Sequence, residues 1–97
     1  MIKSWTGNVE LEFPCGCRVV IGFEESALEL DNNGWVEKVK VCSGHDQEEV
    51  RERIEENMWQ VGEYLKRKSG SLFKACQEGS LKVDVPLEEF LKVVEVV

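Results

Sequence analysis

Histidine occurs once in this chain and proline twice, and no apolar run reaches the length of a membrane span. Each shortage narrows the function. A lone imidazole cannot ligate a metal and also activate a serine or cysteine nucleophile. The glycine-rich phosphate loop G-x-x-x-x-G-K and the nucleophile elbow G-x-S-x-G are both missing. Cations are also scarce, with 12 Lys and Arg against 19 Asp and Glu, for a net charge of −7. Phosphate backbones and anionic membranes repel such a chain, whereas a basic protein surface attracts it. The opening "MIKSWTGNVELEF" breaks up any secretory apolar core with polar and charged residues. The expected compartment is therefore the cytoplasm, where closely spaced thiols stay reduced and serve as metal ligands or catalytic groups.

What is present reads as one α+β domain over residues 1–97. At this size the apolar core is thin, and a bound metal or partner would add materially to stability. In "VELEF", Val9, Leu11 and Phe13 alternate with Glu10 and Glu12, which predicts a half-buried strand ended by Pro14. The β-branched run "RVVIGF" from Arg18 predicts a second, more central strand. Residues 26–41 read as a hairpin closed at Asn33-Gly34, because a type I′ turn favours that dipeptide.

After Cys42 the period changes. Val50, Ile54, Met58, Val61 and Leu65 form one stripe of a long helix from Asp46 to Lys68. Asp46 with Glu49 makes a capping box, and Ser69-Gly70 is the stop. Glu49–Arg53, Arg51–Glu55 and Glu63–Arg67 fall at the i,i+4 spacing of helical ion pairs. Residues 1–70 thus hold the hairpins and the long helix. Residues 71–97 form a packing or association segment with a short helix ended by Gly79, the strand "LKVDV" and a last helix begun by Pro86. The expected architecture is a small antiparallel hairpin sheet with a metal site, packed on one long helix, plus a C-terminal strand and helix.

The chemistry lies in "FPCGCRVV" and "VCSGHD". Cys15 and Cys17 flank a glycine where the first two strands join; Cys42 ends the hairpin, and His45 follows three residues later. Three thiols and one imidazole are a complete tetrahedral set for structural Zn²⁺, with no open position for substrate. Gly16 and Ser43-Gly44 provide the tight turns that aim the ligands at one ion. Three thiolates on Zn²⁺ leave the site near −1, a charge favoured at the N-terminal end of the long helix. Cys76 is left over and reads as a small half-buried apolar residue.

A cysteine knuckle, a hairpin and then C-x-x-H leading into a helix resembles the treble-clef and zinc-ribbon-like group of small zinc domains. The likeness covers residue 13 to about residue 60 and departs from the group in its C-x-C spacing. It implies a zinc-bound fold with Cys15, Cys17, Cys42 and His45 as ligands, and it leaves the function open. The ligand set also resembles the CDGSH-type iron–sulfur proteins, although "CSGH" lacks the Asp, sets the histidine one residue closer and follows a longer spacer.

With the only histidine committed and the glutamates of the helix read as a solvated face, no catalytic constellation remains, and the chain reads as a non-enzyme. A nucleic-acid patch would have to come from Lys38, Lys40, Lys66, Arg67 and Lys68 with Trp59 or Tyr64, against the overall charge. Trp5, Trp35 and Trp59 read first as core residues. Taken with the apolar tail, they also suggest a self-association surface or partner groove. The sequence therefore points to a zinc-stabilised, non-catalytic protein-interaction module, possible as a homodimer, whose acidic helix face suits a basic partner. A zinc-dependent nucleic-acid-associated protein and an iron–sulfur redox protein are the alternatives.

Overall fold

The alternation at the start of the chain does what its period requires. Val9 and Leu11 are fully buried and Phe13 nearly so, while Glu10 and Glu12 lie on the wetter face. The computed structural model describes residues 5–25, 32–42 and 44–95. Its elements are β1 (Trp5–Glu12), β2 (Arg18–Glu25), β3 (Asn32–Lys40), α1 (Gln47–Glu56), α2 (Met58–Ser69), α3 (Leu72–Glu78), β4 (Ser80–Lys82) and α4 (Leu87–Glu95). The fold class is α+β. The sheet has the order β3-β2-β1-β4. β1–β2 and β2–β3 are antiparallel, but β4 lies parallel to β1, so the sheet is mixed rather than purely antiparallel. A parallel neighbour needs a crossover, and the helices supply it.

The buried face of the sheet carries Val9, Leu11, Val19, Ile21 and Phe23, and the helices close over it with Val50, Ile54, Val61, Leu65, Leu87, Phe90, Leu91 and Val94. The helical stripe expected from its spacing is therefore the stripe that is buried, with Met58 partly covered. The predicted ends hold too. Asp46 caps α1 by accepting from the N–H groups of Glu48 and Glu49, and Gly70 and Gly79 close α2 and α3. The last helix continues to Glu95.

Three expectations need correction. Asn33-Gly34 does not form the hairpin turn: both residues lie within β3, in register with Glu24 and Phe23, and Gly34 is not among the positive-φ glycines. The connection falls at residues 26–31, outside the described residues, as does the segment "SALEL". Gly34 is required for space instead. A Cβ there would sit 2.8 Å from both Phe23 Cε1 and Met58 Cγ, where α2 crosses the strand. Further along β3 the register shifts, leaving Glu37 as a bulge residue, which accepts from Asn8 Nδ2 and Trp35 Nε1.

The long helix is two helices. Asn57 leaves helical geometry with φ −116° and ψ 29°, and its side-chain amide donates to Arg53 O at 2.8 Å. A short polar side chain that bonds its own backbone competes with the helical ladder, which the apolar stripe cannot reveal. The break lets α1 lie over β3 while α2 packs against α3 and α4. It also changes the ion pairs. Arg51–Glu55 forms as expected, but Arg53 pairs with Glu95 on α4, and Glu63 pairs with Lys66. Finally, Trp59 is no core residue, being 70% exposed.

Gly34→Ala is expected to cost about 1–3 kcal/mol by overpacking. If crowding is the cause, a double-mutant cycle with Met58→Ala in urea unfolding will recover part of that loss. Strict additivity would show that the strand does not meet α2 there.

Candidate metal centre

The turn between β1 and β2 is closed by two backbone bonds, Phe13 N–H to Cys17 O and Gly16 N–H to Phe13 O, both at 3.0 Å. Gly16 takes φ 96°, a conformation that side chains resist, and so folds Cys15 and Cys17 to one side. Cys17 is fully buried and Cys15 is exposed at the rim. On the opposite wall the chain leaves β3 at Lys40, reaches Cys42 two residues on and turns through Gly44, at φ 98°. His45 N–H then reaches back to Cys42 O at 3.4 Å, just before Asp46 starts α1.

These turns bring all four sequence-predicted residues together. One ligand atom from each of Cys15, Cys17, Cys42 and His45 lies within 4.8 Å of the others. Ligands around a tetrahedral zinc with Zn–S near 2.3 Å stand about 3.8 Å apart, so small side-chain rotations would close the set on one ion. Cys17 Sγ and Cys42 Sγ are 3.0 Å apart and would open slightly to admit it. Cys42 N–H also donates to Cys17 Sγ at 3.2 Å, the kind of backbone donor that favours a thiolate. The donor set and its spacing therefore fit a metal ion. The geometry does not by itself select which metal.

The thiols differ in acidity. Burial pushes Cys15 up, but backbone N–H groups of Leu87 and Cys17, together with the Cys17 and Cys42 side chains, outweigh it and bring the thiol from 9.0 down to about 7. Burial and the hydrogen bond with Cys42 push Cys17 up to about 12, overcoming the Cys42 N–H. A cation bound here would displace these protons.

Leu87 is the contributor that sequence reasoning missed. It opens α4, so a second helix N-terminus faces the cluster besides that of α1. Pro86 was the only local signal: it marked a helix start, but not its neighbour. Cys76 stays apart from the cluster. It is half-buried against Gly7, and burial pushes its thiol up, consistent with an inert packing role. Among the described residues no helix is long and apolar enough to cross a membrane. Comparison with protein-family models, curated proteins and solved structures gives no match.

In chelator-treated protein, iodoacetamide should modify Cys15 first, with a rate that rises through pH about 7 because its thiol is already half ionised there. Cys17 should react last. Peptide mapping by mass spectrometry reads the order, and equal rates for the two would contradict the site electrostatics.

Proposed function

We propose that this chain is a small zinc-bound protein-interaction module without catalytic activity, in which Cys15, Cys17, Cys42 and His45 hold one structural zinc ion. The observation that carries the reading is the convergence of those four ligand atoms from two turns 25 residues apart in sequence, counted from Cys17 to Cys42. An ion there would tie the β1–β2 turn to the start of α1 and, through the Leu87 N–H on Cys15, to the start of α4. The order of knuckle, hairpin and ligand pair before a helix supports the treble-clef resemblance. Four protein ligands leave no open position for substrate or water, which supports a structural ion over a catalytic one.

The rest of the surface supports contact with protein rather than with nucleic acid. Lys66 and Lys68 are engaged with Glu63 and Asp84, so the basic cluster at the end of α2 is largely neutralised within the fold. Exposed Trp59, Phe73 and Val93 supply apolar area of the kind that partners cover.

Protein purified without an affinity tag should contain one equivalent of zinc and show no visible absorbance, and Cys17→Ala or Cys42→Ala should lose the metal. A coloured protein that bleaches on reduction would establish the iron–sulfur alternative, and protein without metal would refute the proposal. At free zinc of 100 to 1,000 times Kd the ion contributes about 3–4 kcal/mol. Chelation should therefore lower Tm by more than ~10 °C. Acid acts in the same direction. Without the ion the Cys17 thiol, pushed up to about 12, and the Cys15 thiol, at about 7, hold protons that metal-bound thiolates do not, so the metal-derived stability declines as pH falls through about 7. A Tm indifferent to chelator would count against a structural ion.

A further inference from the structure

At the end of α4 away from Leu87, its last turn and α2 enclose a groove of about 400 Å³ lined by Trp59, Gln60, Glu63, Tyr64, Arg67 and Val93. Its walls differ sharply in how firmly they are held. Tyr64 is fixed edge-on to the fully buried Phe90, with ring centroids 5.1 Å apart, so the floor belongs to the core. Trp59 and Val93 stand 70% and 53% exposed at the rim. Trp, Tyr and Arg are the side chains that dominate protein–protein hot spots, and a rigid floor lowers the entropic cost of docking.

The polar groups give the groove a sign. Among the described residues the only carboxylate lining it, Glu63, is paired with Lys66 at 3.4 Å. The guanidinium of Arg67, the indole N–H of Trp59, the amide of Gln60 and the hydroxyl of Tyr64 have no hydrogen-bond or ion-pair partner among the described residues. Among the described residues, a protein of net charge −7 thus sets one cation without an ion pair, Arg67, and several open donors around this apolar floor. Donors left open beside apolar walls suit an acceptor carried next to an apolar side chain.

We infer that the groove between α2 and α4 docks a segment of a partner protein that places an apolar or aromatic side chain against Trp59 and Tyr64 and an adjacent Asp or Glu carboxylate on Arg67. The inference rests on the protein-interaction half of the proposed function and not on the metal. The apolar anchor supplies most of the affinity. The carboxylate, paired with the exposed Arg67, supplies the choice between partners.

The test uses the full chain as purified and two acetylated ten-residue peptides: one has Leu-Phe flanked by Asp and Glu, and its twin has Asn and Gln in those places. Both are titrated at about 0.15 M salt, which screens the long-range repulsion from the net charge of −7, while backbone and indole N–H resonances are followed by NMR. The acidic peptide should shift the signals of Trp59, Tyr64 and Val93 and bind about threefold to fivefold more tightly than its twin. Arg67→Gln should abolish that difference, and Trp59→Ala should weaken both peptides at least tenfold, on the order expected of a hot spot. Each variant should keep its Tm and metal content, which separates failure of the groove from failure of the metal reading. Equal binding of the twins, no shifts at the groove with millimolar peptide, or sedimentation showing a Trp59-dependent dimer that covers it would each overturn the inference.

Discussion

Cys17 is the point at which the sheet, the start of α1 and the start of α4 are brought into one arrangement. Its sulfur is fully buried, touches Cys42 Sγ and accepts the Cys42 N–H, while Cys15, two residues earlier, accepts the N–H of Leu87. Sulfur atoms packed this closely carry conflicting proton preferences, one thiol held down and the other pushed up. A divalent cation would resolve that conflict by taking the place of the protons. The two apolar layers face each other through the buried core in any case, and an ion would add a cross-link at their edge.

From that junction the fold runs outward along α4. Its first residue meets the metal-ligand cluster, its middle is buried through Phe90 and Leu91, and its last turns wall the groove beside Trp59. At 1.5 Å rise per residue, Leu87 and Val93 are separated by about 9 Å along the axis. A short, well-buried helix thus connects the cluster that could hold an ion with the groove beside Trp59.

Much of this arrangement was readable from local pattern. Val9, Leu11 and Phe13 declared a half-buried strand, the stripe from Val50 to Leu65 declared the covering helical face, and Asp46, Gly70 and Gly79 declared the ends. The cluster of Cys15, Cys17, Cys42 and His45 was readable because scarce residue types fell in two short turns. Asn33-Gly34 misled for a definable reason. The dipeptide favours a turn where nothing else is packed on it, but here Gly34 answers to Phe23 and Met58, and the strand continues through it. Asn57 misled in the opposite way, since an uninterrupted apolar stripe conceals a backbone break made by a polar side chain.

Period, capping residues and ligand chemistry are properties of neighbours in the chain, so the sequence alone determined the α+β class, the buried faces and the candidate ligand set. Partners across the fold are not. That β4 runs parallel beside β1, that Arg53 reaches Glu95 instead of Glu49, and that Glu63 takes Lys66 rather than Arg67 were decided only when the elements packed. Helix spacing limits which side chains can meet, and tertiary packing selects among those that can.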